Sequence, residues 1–325
     1  MALKKLLKSI LNVNCIKIIN AEFDYVSSSL YIRVEITKGQ RSRCPVCSTK
    51  CSGYDSTTEY RSWRALDFGA CRVYILSHVN RVQCSVHGIH TGQVPWAHHH
   101  SGFTKEFEQQ AAYLALHLNR TEVSKLMRIN WRTVGMLLSR TKDRLEPDSS
   151  IRFKNLRRIG IDETSYRKGH KYVTVVVDHD TDQVIWVGKG TGKEVLSSFF
   201  ALLTQEQRES IELTSADGAR WIQSCIEEWL PNCERCIDGF HVVQWACRSK
   251  LKPFVELSKK IRRHKEAIIA TVRHGLSNAR IESTNKIKVL IRKSYGFRNI
   301  QNLIDMIMIV CSRLYYEIKL SYELR

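Results

Sequence analysis

Between residues 156 and 238 the chain alternates short apolar runs with helix-patterned stretches, in an order that restricts the sheet it can form. Strands are predicted at 156–162, 172–178 and 183–187, then a helix near 194–203, a strand at 211–216, a helix at 219–230, a strand at 233–238 and helices from Phe240 onward. The first three strands are joined only by Arg167-Lys168-Gly169-His170 and His179-Asp180-Thr181-Asp182, which suits an antiparallel meander. The later strands each follow a helix and so lie parallel to a neighbour. The predicted fold class is α/β, a mixed sheet with helices on both faces.

That sheet gives three acidic residues a common destination. Asp162 closes Arg158-Ile159-Gly160-Ile161, Asp217 closes Ile211-Glu212-Leu213-Thr214-Ser215-Ala216, and Glu282 opens a helix-patterned segment ending near Arg292. Crevices in open α/β sheets form at the carboxyl ends of strands, so Asp162 and Asp217 converge there and Glu282 approaches from a helix. Polynucleotide chemistry needs such a cluster, because hard cations held by carboxylate oxygens activate the attacking hydroxyl and stabilise the leaving one. Asp162, Asp217 and Glu282 are therefore the expected catalytic residues and ligands of Mg²⁺ (or Mn²⁺). A single Asp at a strand end is more often a turn cap; three in this strand order point to a site. Asp238, at another strand end, and His241 after it are accessory candidates. Glu163 alternates to the face opposite Asp162 and is excluded from the ligand set.

Charge names the partner. Lys and Arg number 51 against 32 Asp and Glu, a net charge of +19 spread along 325 residues. An excess distributed over the whole length argues for a polyanion gripped by several modules, with double-stranded DNA the leading candidate. No apolar run approaches the roughly 18 to 20 residues of a spanning helix. Eleven Cys, an odd number with no export signal ahead of them, suit reduced thiols or metal ligands and a cytoplasmic, nucleoid-associated protein.

Residues 1–8 read as a short surface helix, and 15–37 as a hairpin turning at Ser27-Ser28-Ser29. Cys44-Pro45-Val46-Cys47 and Cys84-Ser85-Val86-His87 are separated by predicted strands at 71–74 and 78–82, and two ligand pairs on tight turns separated by strands describe a zinc ribbon. Cys44, Cys47, Cys84 and His87 are the expected ligands of a structural Zn²⁺, with His90 as the alternative fourth. Cys233 and Cys236 fall in a strand that turns them to opposite faces, so they are expected to be structural. After the tract His98-His99-His100 the period becomes helical over 103–118, 121–127 and 131–140, with Thr121 and Thr133 near the helix starts. The break Arg128-Ile129-Asn130 fits a helix-turn-helix, which puts Arg128, Arg132, Thr133 and Arg140 at DNA, Arg132 and Thr133 nearest the base edges. Lys286, Lys288 and Arg292, beside Glu282, are expected to grip phosphates. Residues 147–150 read as a linker, and the predicted domains are 1–97, 98–146 and 151–325.

Cys44-Pro45-x-Cys47, the helix-turn-helix, Ile161-Asp162-Glu163, Ala216-Asp217-Gly218, Asp238-x-Phe240-His241 and Ser277-Asn278-Ala279-Arg280-Ile281-Glu282-x-x-Asn285-Lys286-x-Lys288 together resemble the bacterial insertion-sequence transposases of the ISL3 group. Tyr295-Gly296-Phe297-Arg298-Asn299 is the most specific part. The resemblance implies a zinc ribbon, a helix-turn-helix and a ribonuclease H-like DDE core that uses Mg²⁺ to cut DNA at transposon ends and join it elsewhere, as a homodimer on DNA. Members of the group carry a long, largely helical insertion between the second Asp and the Glu. Here Arg248-Ser249-Lys250-Leu251-Lys252-Pro253 stands where it belongs, so the copy reads as internally shortened near 248–265. The function expected is a DNA transposase that binds terminal inverted repeats and catalyses metal-dependent strand cleavage and transfer. The alternative is a catalytically impaired DNA-binding protein that occupies element ends and represses transposition. A ribonuclease H-type nuclease without strand transfer would make two DNA-binding modules superfluous.

Overall fold

A computed structural model of the protein describes residues 2–55, 57–167, 169–237, 253–275, 282–293, 299–312 and 314. Asp238, His241, the motif residues 277–281 and 295–298, and the side chain of Glu282 lie outside the described residues. The chain packs as two compact units, Met1–Tyr113 and Leu114–Ile318. No described helix is long and apolar enough to cross a membrane.

In the first unit, helix α1 (Ala2–Leu11) precedes the expected hairpin of β1 (Ile16–Asp24) and β2 (Ser29–Ile36). Strand β3 (Ser52–Gly53) follows, then β4 (Arg61–Phe68) and β5 (Cys71–Ser77), and β5 lies parallel to β2 in a sheet ordered β1-β2-β5-β4. Its core holds the fully buried Ile32 and Ile75 and the edge-to-face pair Trp63 and Trp96, with ring centroids 5.3 Å apart. This corrects the expected ribbon. The 71–74 strand belongs to the hairpin's sheet, where Val73 and Ile75 bury far more apolar surface than a ribbon offers. The span expected as a strand at 78–82 begins only at Arg81. The part expected as a ribbon holds a separate small sheet of β3, β6 (Arg81–Cys84) and β7 (Gly88–Thr91).

Helices α2 (Lys105–His117), α3 (Arg120–Met127) and α4 (Trp131–Leu145) follow the helical period. Their caps differ from expectation. Asn119 accepts from the N–H of Glu122 (3.0 Å) and Asn130 from that of Arg132 (2.8 Å), while Thr121 and Thr133 sit inside the helices. Arg128, left-handed at φ 51°, turns the chain between α3 and α4. The stretch read as a linker holds an ordered turn: Asp148 caps the 3₁₀ turn Ser149–Phe153, and Arg152 Nε donates to Glu146 at 2.6 Å.

The meander forms as β8 (Arg158–Arg167), β9 (Lys171–Asp178) and β10 (Gln183–Lys189). Helices α5 (Lys193–Phe200) and α6 (Gln205–Glu209), strand β11 (Leu213–Ala216), helix α7 (Arg220–Trp229) and strand β12 (Glu234–Ile237) complete a sheet ordered β10-β9-β8-β11-β12, in which β8, β11 and β12 run parallel. Among the described residues four helices follow: α8 (Pro253–Arg263), α9 (Lys265–His274), α10 (Glu282–Lys293) and α11 (Ile300–Val310). Ile159, Ile161 and Ala216 pack with Leu196 and Phe199 of α5 and Ile222 and Ile226 of α7. Leu213 and Cys236 pack on the opposite face against Ala270 of α9. Helices cover both faces of the mixed sheet, as the alternation predicts. One boundary differs: β8 runs past Asp162 to Arg167, because β9 pairs with it to the hairpin turn.

Gly135, midway along α4, lets α11 approach. A Cβ there would lie 2.8 Å from Asn302 Oδ1 and 2.6 Å from Arg120 Nη1. Gly135→Ala is expected to lower the stability of the second unit by about 1–3 kcal/mol through overpacking, although alanine favours an exposed helix by about 1 kcal/mol. A melting temperature at or above that of the unaltered protein would contradict this account of the contact.

Candidate active site and metal cluster

Parallel pairing sets Leu213, Thr214 and Ser215 beside Arg158, Ile159 and Gly160. Two residues beyond the last pair on each strand stand Asp217 and Asp162. Strand β11 ends there while β8 continues with β9 along its other edge, which leaves a notch at the carboxyl end of β11. Asp162 Oδ1 accepts from the N–H of Glu163 (2.8 Å) and Asp217 Oδ1 from that of Ala219 (2.9 Å), so each carboxylate has one oxygen fixing its orientation. Arg235 Nη2 donates to the Asp217 carbonyl at 2.7 Å. His264 is buried nearby, its pKa lowered by burial and then by Arg235 and Arg263, with Asp217 opposing. Glu282 is the first residue of α10, which lies against β8.

Glu163 follows Asp162 on β8 and is half-buried. Burial, then the charges of Asp217 and Asp162, push its carboxyl up to about 7. Its Oε1 is sealed from solvent with no hydrogen-bond partner. Arg235 and His264 beside Asp217 were not foreseen, and nothing in the sequence marked them.

In the ribbon, Cys44, Cys47, Cys84 and His87 bring their ligand atoms within 4.8 Å of one another. Cys47 Sγ to Cys84 Sγ is 3.8 Å, Cys44 Sγ to His87 Nδ1 3.8 Å and Cys84 Sγ to His87 Nδ1 3.6 Å. A tetrahedron with Zn–S arms of about 2.3 Å and Zn–N arms of about 2.0–2.1 Å has edges of about 3.5–3.8 Å, so the donor set fits zinc. The N–H groups of His87 and Val86, followed by the His87 ring, bring the Cys84 thiol down to about 6, which favours the thiolate a metal needs. His90 is not in the cluster; its Nε2 meets the His87 carbonyl at 2.7 Å. Cys51 stands beside the four, its thiol pushed up by burial and then by Cys84. Cys233 and Cys236 form no such group: burial holds both thiols near 11, and Cys233 Sγ lies 2.9 Å from Thr214 Oγ1.

On the helix-turn-helix, Trp131 opens α4 between two guanidinium groups, Arg120 at 5.2 Å and Arg132 at 5.5 Å from its ring centroid. Arg128 and Arg132 are exposed, Thr133 and Arg140 half-buried. Lys286, Lys288 and Arg292 are exposed along α10.

Comparison with known proteins defines the class. Residues 93–140 match the helix-turn-helix domain of transposase family ISL3, and residues 159–248 and 243–307 match that family's transposase model in two pieces. The chain is 32% identical to the transposase for insertion sequence element IS1557 of Mycobacterium tuberculosis, over 82% of this chain and 85% of the relative. It is 28% identical to the transposase for insertion sequence element IS1001 of Bordetella parapertussis, over 62% of this chain and 49% of that one. These are insertion-sequence transposases. The chain belongs to the ISL3 family. Its alignment with the mycobacterial relative runs to 382 positions, more than this chain holds, so the relative carries residues with no counterpart here. The two pieces of the family match meet at residues 243–248.

Proposed function

We propose that the protein binds the terminal inverted repeats of an insertion sequence and catalyses metal-dependent strand cleavage and strand transfer, working in the cytoplasm at the nucleoid as a homodimer on DNA. The observation that carries this reading is the side-by-side exit of Asp162 and Asp217 at the end of β11 in a chain of transposase family. The sheet is then a ribonuclease H-like core, with the zinc ribbon and helix-turn-helix as DNA-binding modules.

The residues fit a divalent cation. Asp162 and Asp217 leave paired strands side by side, each with one carboxylate oxygen held by a backbone amide. Asp162 and Asp217, with Glu282 delivered by α10, would hold Mg²⁺ (or Mn²⁺). When bound, the ions supply polarisation of the phosphoryl oxygens and a lowered pKa for the attacking water or 3′-hydroxyl. The chain's own residues do the positioning. Arg235 fixes the Asp217 backbone, the backbone amides of Glu163 and Ala219 orient the two Asp side chains, and Lys286, Lys288 and Arg292 draw the phosphates alongside. Trp131 holds Arg132 at the start of α4, ready for base edges.

Incubation of the purified protein with labelled element ends, with and without Mg²⁺, tests the reading. Cut and joined products support it; binding without cleavage supports the repressor alternative, which the segment missing relative to the IS1557 protein favours. If the +19 charge serves DNA through roughly 6 to 10 phosphate contacts, affinity falls about 10³- to 10⁵-fold between 50 and 200 mM salt. An affinity flat across that range contradicts multi-module binding. Arg132→Ala is expected to blunt discrimination between element ends and random duplex.

A further inference from the structure

The tract His98-His99-His100 takes no part in the sites above, yet it forms part of the wall of a cavity in the first unit. The cavity measures about 140 Å³, below the roughly 300–1,000 Å³ of pockets for organic ligands and suited to a small ion. Of its fourteen lining residues five are basic, Arg61 of β4, His98, His99, His100 and Lys105 of α2, and none is acidic. The positive charge of the whole chain does not account for this. Three other cavities each include carboxylates, among them Glu228 in one, Glu234 in another and Asp67 in the third.

Backbone bonds hold the wall in place. Ser101 N–H donates to the His98 carbonyl (3.0 Å), Phe103 N–H to Ser101 Oγ (2.9 Å) and Lys105 N–H to the Trp96 carbonyl (2.8 Å). Arg64 N–H donates to the Gly102 carbonyl (2.8 Å), which ties the segment to β4. His100 takes the left-handed conformation at φ 60°, which a non-glycine residue keeps only where its surroundings impose it. The His99 and His100 rings lie 3.8 Å apart between centroids, and the His90 ring stands 6.1 Å from that of His99. Arg61 lies over the Trp63 ring at 5.4 Å, and among the described residues neither it nor Lys105 forms a salt bridge.

Cationic groups gathered this closely repel one another unless an anion joins them. Burial, then the charges of His100, His90 and Arg61, lower the pKa of His99, and no carboxylate opposes them. The partner that this arrangement lacks must therefore come from outside the chain. A phosphate group suits it, because its oxygens accept from guanidinium, ammonium and imidazole N–H donors together.

We propose that this cavity is a phosphate site, in which Arg61 and Lys105 supply charge and the His98–His100 turn supplies ring N–H donors to one phosphate group, carried by DNA or free in solution. Occupation by DNA rests on the DNA-binding reading above; the site itself does not.

The test is a titration of the full-length protein, isotope-labelled in its histidine rings, with inorganic phosphate against sodium chloride at matched ionic strength. The His99 and His100 signals, assigned through His99→Gln and His100→Gln, are expected to shift saturably with phosphate and to stay in place with chloride. This arm needs no variant in the cavity to fold. Arg61 is exposed, so Arg61→Gln combined with Lys105→Gln is expected to keep the melting temperature and to bind phosphate about 10- to 100-fold more weakly, the scale of a lost hydrogen bond to a charged group. The same double variant on duplex DNA separates the two sources. A salt slope reduced by about 0.9 assigns the site to a DNA phosphate, and an unchanged slope with phosphate binding lost assigns it to free phosphate. Absence of any affinity for duplex DNA sinks the DNA-binding reading and leaves the phosphate site standing on the titration. Shifts that do not saturate, shifts that persist unweakened in the double variant, or a response to Zn²⁺ but not to phosphate overturn the proposal.

Discussion

Asp162→Asn is expected to reduce cleavage of element ends by about 10³-fold or more while leaving affinity for the same DNA close to that of the unaltered protein. The amide matches the carboxylate in size and can still accept from the N–H of Glu163, so the local turn survives. What disappears is the charge that would keep a divalent cation beside Asp217. Metal assistance to phosphodiester chemistry amounts to several kcal/mol, and each 1.36 kcal/mol is a factor of about ten in rate. Asp217→Asn is expected to do the same, because the residues proposed to bind DNA, Arg128, Arg132, Arg140, Lys286, Lys288 and Arg292, are left unchanged. Removing one of several crowded carboxylates also relieves repulsion, so the metal-free melting temperature should rise slightly, and Mg²⁺ should raise it less than in the unaltered protein. Cleavage and binding are read on the same labelled duplex. Unimpaired cleavage by Asp162→Asn defeats the assignment, and an inactive Asp238→Ala beside an active Asp217→Ala moves the second carboxylate to Asp238.

How far the sequence led can be judged at Asp162 and at Trp63. Element order in the second unit was readable because each strand from 158 to 237 is bounded by polar turns and each helix carries its own apolar stripe, so local pattern and sheet topology agree. The side-by-side exit of Asp162 and Asp217 from paired strands followed from the parallel pairing. The end of β8 was not readable, because β8 outruns β11 through its pairing with β9, a difference in strand length that depends on long-range contacts. The first unit was harder for the same reason. The β4 strand around Trp63 and the parallel β2–β5 pairing join segments far apart in sequence, and no short-range signal announces them. Asn119 and Asn130 took the caps from Thr121 and Thr133 because helix starts are set within a residue or two by which side chain meets the free amides.

Metal loss at the Cys44, Cys47, Cys84 and His87 cluster is expected to melt the small sheet and spare the four-stranded core beside it. The two parts of the first unit differ in what holds them. The core buries Ile32, Ile75, Trp63, Val73 and Trp96 almost completely. The small sheet has a two-residue β3, four-residue β6 and β7, and Val82 as its main buried aliphatic side chain. Apolar surface on that scale cannot offset the entropy of ordering the loops, whereas structural zinc contributes apparent binding free energies of about 10–16 kcal/mol in comparably small modules at pH 7. Cys84→Ser, or a strong chelator, should therefore raise proteolytic cutting and amide exchange within residues 42–54 and 81–91, with little change in the environment of Trp63 and Trp96. Acid should act similarly. The Cys84 thiol sits near 6 against an ordinary 9.0, so the stability gained from its thiolate is present above the ordinary value and disappears as pH falls through about 6, where protons also compete with the metal. Protein purified without chelators should contain close to one zinc per chain. Full protection of residues 42–54 in metal-free protein, or absence of zinc from protein purified without chelators, would show that the ribbon is held by something other than this cluster.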